Sequence, residues 1–141
     1  MPAIAKTRPE RLRISHLARR SGVKLETIRY YERIGVLPAP PRTGNGHRAY
    51  DHEDVRTLAF VRHAREAGFT LADIRILLRR RAAGGGCCAE VRSIASNQLE
   101  IVERKIADLV RRRALLDHAI ARCSGLPDLP CPVIEMLERP L

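Results

Sequence analysis

Ile14-Ser15-His16-Leu17-Ala18-Arg19-Arg20-Ser21-Gly22-Val23, followed directly by Lys24-Leu25-Glu26-Thr27-Ile28-Arg29-Tyr30-Tyr31-Glu32-Arg33-Ile34-Gly35, is the stretch that decides the fold. Its first ten residues predict a short helix with Ser15 as N-cap and a closing turn at Gly22. In the second segment Leu25 and Ile28 share the face that would meet the first helix, which turns Arg29 and Tyr30 outward. One of the adjoining tyrosines, Tyr30 and Tyr31, is expected to belong at least partly to the core. This is helix-turn-helix spacing, and the second helix is the one shaped to enter a major groove.

Outward from there, Pro38-Ala39-Pro40-Pro41 interrupts the helical pattern. Arg42-Thr43-Gly44-Asn45-Gly46-His47-Arg48-Ala49-Tyr50 then reads as a hairpin, because Asn-Gly favours the left-handed backbone of tight turns. A basic hairpin beside a recognition helix makes a wing that reaches phosphates or the minor groove. Two further helices are predicted over 51–63 and 71–81, capped by Asp51 and Thr70 and separated at Gly68. Val55, Leu58, Val61, Ile74, Leu77 and Leu78 fall at helical spacing and are assigned to the core.

The charge separates two halves. Residues 1–81 hold 18 Lys and Arg against 8 Asp and Glu, whereas residues 82–141 hold 8 of each, so the whole net charge of +10 lies in the first part. That is the footprint of a surface that follows phosphates and releases counterions. With two Phe and three Tyr, no aromatic stacking platform for single-stranded RNA is legible. No apolar run approaches the 18 residues or so of a membrane span, and the first residues lack the apolar stretch of a signal peptide. The expectation is therefore a cytoplasmic protein without membrane association. Thiols stay reduced there, which directs four cysteines toward metal or redox chemistry rather than disulfides.

Beyond Gly84-Gly85-Gly86, a long helix carries Ala95, Leu99, Val102, Ile106, Leu109, Leu116 and Ile120 at alternating steps of four and three, with Arg113 the polar member of the series. This is a coiled-coil seam of nearly four heptads, and a second copy of the chain is its simplest partner. Cys88 stands before the helix; Cys123 and Cys131 follow it. Thirty-five steps of about 1.5 Å place Cys88 and Cys123 roughly 50 Å apart in one chain, so a shared site needs two chains. Parallel pairing would join each cysteine to its twin. Antiparallel pairing would set Cys88 beside Cys123 and Cys131 of the other chain, giving two three-thiolate sites.

Three sulfurs without a nearby histidine or carboxylate suit Hg(II), Pb(II) or Cd(II) better than the tetrahedral sets typical of Zn(II). Cys87 is an added candidate, as a fourth thiolate or as a passive loop residue. His118 precedes Cys123 by about one and a half turns, but a lone histidine on a charged helix is more often solvated than liganding. A catalytic-zinc hydrolase or deaminase would need His-x-Glu with Cys-x-x-Cys, which is absent, so no enzymatic role is expected.

The blocks Ile-x-x-Leu-Ala, Thr-Ile-Arg-Tyr-Tyr-Glu-Arg-x-Gly-x-Leu, Asn-Gly-x-Arg-x-Tyr and the Val55–Leu71 segment, in that order, resemble the MerR family of transcription regulators. The resemblance spans nearly the whole chain. It implies a mainly α protein: a winged helix-turn-helix domain, a long dimerisation helix paired as an antiparallel coiled coil, and a short C-terminal metal-binding loop. The corresponding segments are a flexible extension (1–10), the DNA-binding domain (11–82), a Gly/Cys loop (83–88), the dimerisation helix (89–122), and the loop with a final helical turn (123–141). The resemblance further implies that Thr27, Arg29, Tyr30, Arg42, Arg48 and Tyr50 lie against promoter DNA. It also implies that a homodimer distorts the DNA on metal binding so that RNA polymerase can engage. Cys88 aligns with the cysteine of divalent-ion sensors, whereas Cu(I) and Au(I) sensors carry serine there. The loop from Cys123 to Cys131 has the length associated with the copper branch, one residue shorter than in mercury sensors. The Cys-Pro-Val-Ile ending resembles the mercury-responsive members, and Hg(II) is the expected effector. The alternatives are Pb(II), Cd(II), Zn(II) or Cu(I) sensing, or a thiol-based redox response on the same fold.

Overall fold

The computed structural model describes residues 11–42 and 44–139, and the expected extension at 1–10 lies outside the described residues. Among the described residues the order is α1 (Ile14–Ser21), α2 (Leu25–Arg33), α3 (His52–Glu66), α4 (Leu71–Ala82), α5 (Ala89–Arg122) and α6 (Pro132–Glu138), with no strands. The chain divides into two compact units, one reaching to Ile94 and the other beginning at Ala95.

The first unit closes around Leu17, Ile28, Leu37, Tyr50, Leu58, Val61 and Ile74, all essentially solvent-free. α1 packs on α2 and α3, and α3 on α4. Each large aliphatic side chain removed from water contributes about 1.5–3 kcal/mol, so this small cluster carries the unit's stability. Val55, Leu71 and Leu78 flank it, partly buried. Tyr31 belongs to the core and Tyr30 stays exposed.

The helix starts follow from side-chain chemistry at two places. Asp51 accepts the Asp54 N–H at 3.0 Å while Asp54 accepts the Asp51 N–H at 2.9 Å, and Thr70 and Asp73 form the same reciprocal pair. Both capping boxes satisfy amides that the first turn leaves without partners. Ser15 is not a cap. α1 begins two residues earlier than such a cap would start it, at Ile14, with Arg13 as N-cap and no side-chain hydrogen bond. The cause is Leu12, which exchanges both backbone hydrogen bonds with Tyr50 (2.7 and 2.9 Å) and fixes where the chain enters the helix. At the other end Gly22, at φ 71°, donates its N–H to the Ala18 carbonyl.

The wing is held by bridges rather than strands: Arg42 pairs with Arg48, and Leu12 with Tyr50. Ala49 N–H donates to the Pro41 carbonyl at 3.0 Å, and Gly46 turns the tip at φ 76°. Prolines at 38, 40 and 41 have no N–H to extend a ladder, which keeps the extended pieces short.

α5 is one uninterrupted helix of 34 residues. Leu99, Val102, Ile106, Leu109, Leu116 and Ile120 are all exposed along it. The second unit continues through the 123–131 loop, where Gly125 adopts φ 70°, into α6, which opens with Pro132 at its first position.

Candidate functional sites: a basic cleft and four thiols

α2 presents Arg29 and Tyr30 to solvent, with Thr27 half-buried beside them. The Arg33 guanidinium lies 5.8 Å from the Tyr30 ring centre, which steadies the ring on the exposed face. Between the start of α1, α2 and the wing opens a cleft of about 540 Å³ lined by Arg13, Ser15, Arg29, Arg42, His47 and Arg48. Four guanidiniums around one concave surface suit the phosphate backbone, since Arg matches phosphate oxygens with paired donors.

Arg13 and His47 were not evident as members from sequence. Arg13 reaches the cleft because the Leu12–Tyr50 bridge sets the first turn of α1 beside the wing, a contact between residues 38 positions apart.

Tyr50 departs from the expected DNA-facing set. It is 1% exposed, and its hydroxyl donates to the Glu32 carboxylate. Burial, reinforced by that carboxylate, pushes its phenol far above the usual tyrosine range. Glu32 also accepts from Arg48 Nη1 at 2.6 Å, and its side chain is only 6% exposed. One carboxylate of α2 thus grips two residues of the wing.

The thiols sit at helix ends. Cys88 occupies the N-cap of α5: its carbonyl accepts the Arg92 N–H at 3.0 Å and its Sγ accepts the Val91 N–H at 3.5 Å. Cys131 is the N-cap of α6, its carbonyl accepting the Glu135 N–H at 3.0 Å. Cys123 follows the last turn of α5, its N–H donating to Ile120. In the loop, Ser124 Oγ accepts the Leu126 N–H at 3.3 Å. All four cysteines are free thiols, with Cys87 and Cys123 exposed and Cys88 and Cys131 partly buried. His118 is exposed on α5.

Among the described residues of a single chain, no three His, Cys, Asp or Glu side chains converge on one point. The thiols themselves are donors of the soft type that thiophilic ions select.

Comparison with known proteins bears on both regions. The MerR helix-turn-helix regulatory family matches residues 12–81, and the MerR DNA-binding family matches residues 55–119. The mercuric resistance operon regulatory protein of Bacillus cereus is 39% identical over 92% of this chain and 98% of its own length. The lead(II) complex of the transcription regulator PbrR691 from Ralstonia metallidurans CH34 superposes with a TM-score of 0.71 at 28% identity, covering 89% of this chain and 98% of that one. The mercury(II) complex of the dual-function regulator MerR from Bacillus megaterium MB1 gives a TM-score of 0.58 at 36% identity, covering 91% of this chain and all of the other. Helix-turn-helix head, basic cleft and long apolar-faced helix therefore have one common explanation: the chain belongs to the MerR family of transcription regulators.

Proposed function

We propose that two copies of this chain pair antiparallel through α5 on promoter DNA and respond to a thiophilic ion held between Cys88 of one subunit and Cys123 and Cys131 of the other. The observation that carries this reading is the placement of the thiols at opposite ends of a 34-residue helix whose apolar face is exposed. The register supports it. Setting Cys88 opposite Cys123 also sets Ala95 opposite Leu116 and Val102 opposite Leu109, so four seam positions pair in the alignment that the thiols call for. Parallel pairing would match the seam equally but would keep Cys88 apart from Cys123 and Cys131 by the length of α5.

Hg(II) is the favoured effector, on the sulfur-only set and the likeness to mercuric regulators, with Pb(II), Cd(II), Zn(II) and Cu(I) as competitors. When bound, the ion supplies sulfur–metal bonds that tie the start of one α5 to the loop after the other. The chain's own part is mechanical. Glu90 in the first turn of α5 pairs with Arg80 of α4 at 3.8 Å, so a change at Cys88 would be felt at the end of α4. The heads then distort the promoter, a change in DNA shape rather than in base contacts, and RNA polymerase engages. The role is regulatory, not catalytic, and is exercised in the cytoplasm.

Subunit mixing tests the shared site. Cys88→Ser homodimers and Cys123→Ser/Cys131→Ser homodimers should both lack tight Hg(II) binding, read as thiolate-to-metal charge-transfer absorbance. Heterodimers of the two should recover one site per dimer, because one end then holds all three thiols. Heterodimers without recovery would exclude the antiparallel site.

A further inference from the structure

We propose that Glu32 is a positioning residue that locks the wing to the recognition helix and thereby sets the preference for operator over unrelated DNA. This rests on the DNA-facing reading of the basic cleft. Glu32 is an acidic residue of α2 in a half of the chain that carries the entire net charge of +10. A carboxylate there repels the phosphates that its neighbours attract. Its geometry gives the compensating role.

The Glu32 carboxylate is nearly enclosed, and both of its oxygens are engaged by the wing: Arg48 Nη1 at one, the Tyr50 hydroxyl at the other. Arg48 is at once a wall of the cleft and a partner of Glu32. Its guanidinium has five N–H donors, so it can keep Glu32 while others face a phosphate. Tyr50, buried and bridged to Leu12, is the fixed point of the assembly. Glu32 thus converts a flexible basic hairpin into one held at a set distance from Arg29 and Tyr30. A wing held this way accepts only DNA whose groove and backbone match its spacing. A loose wing would bind any duplex by charge alone.

The two physical effects of removing the charge have opposite signs, which makes the proposal testable. Glu32→Gln deletes a negative charge from the DNA-facing half, so affinity for unrelated duplex should hold or rise. It also weakens charge-assisted hydrogen bonds to the wing, so operator affinity should fall about tenfold. Titration of the full-length protein with operator and with scrambled duplex of equal length, at matched salt, measures both. In an Arg48→Ala background, adding Glu32→Gln should cause a much smaller further loss of operator preference, since only the Tyr50 hydroxyl is then left to transmit the effect. Tyr50→Phe keeps the buried ring and should lower the operator preference in the same direction, by less. It carries the test if melting shows that Glu32→Gln does not fold.

Equal losses on both duplexes, or a full further loss in the Arg48→Ala background, would overturn the proposal. Should Arg29→Ala weaken binding while Glu32→Gln leaves the preference intact, the cleft is still the DNA surface and only the positioning role falls.

Discussion

Leu58 on α3 and Leu109 on α5 are the same residue on the same kind of element, yet the first is wholly buried and the second 60% exposed. The head satisfies its apolar residues within one chain, with α1, α3 and α4 packed around a common core. Among the described residues, none covers the seam of the long helix, whose Leu99, Ile106, Leu109 and Ile120 stay exposed. A helix with one apolar face gains most of its stability from packing that face, so on the proposed pairing α5 would draw from another chain the cover that the head finds in its own. Folding of the head and assembly of the dimer are therefore separable properties, and each has its own point of failure.

The largest effect is expected from Ile106→Asp. In the register set by Cys88 and Cys123, Ile106 lies beside the symmetry axis, so each dimer would lose two apolar contacts and gain two facing carboxylates. The dimer dissociation constant should rise by roughly a thousandfold, read by sedimentation, while the head keeps its helical signal. An unchanged dimer would place the seam elsewhere.

Leu58→Ala probes the other side of the comparison. Truncating a fully buried leucine costs about 2–5 kcal/mol, and the loss should appear as a lower melting temperature of the head. Dimerisation measured below that temperature should be unaltered. If Leu58→Ala instead weakened the dimer as much as Ile106→Asp, the two regions would be one cooperative structure.

The smallest effect belongs to Arg29→Ala at the exposed face of α2. Removing one phosphate contact should lower the slope of log affinity against log salt by about one, with metal uptake and dimerisation unaltered. A slope identical to the parent protein would remove Arg29 from the interface.

Much of the head was legible from sequence because its signals are local. Asp51 and Thr70 announce their helices by residue type and by the acid three positions on, and Ile28, Leu58 and Ile74 by periodicity. What escaped depends on contacts between distant residues. Ser15 looks like a cap, but the bridge from Leu12 to Tyr50 starts the helix at Ile14. Tyr50, in a basic hairpin, reads as an exposed ring, and only the fold shows it enclosed with its hydroxyl on Glu32. Arg13 entered the cleft for the same reason. The spacing of the cysteines on either side of α5 is plain in the chain, whereas the proposed meeting of their sulfurs would be a property of two chains and has no signature in one.

Cys88 offers its sulfur to the Val91 amide as well as standing where a ligand is wanted. A thiolate has several lone pairs and can accept an N–H while bound to a cation, so on the proposed reading capping the helix and holding the ion would share one atom. An ion held at the Cys88 sulfur would therefore be felt first by an amide in the opening turn of α5.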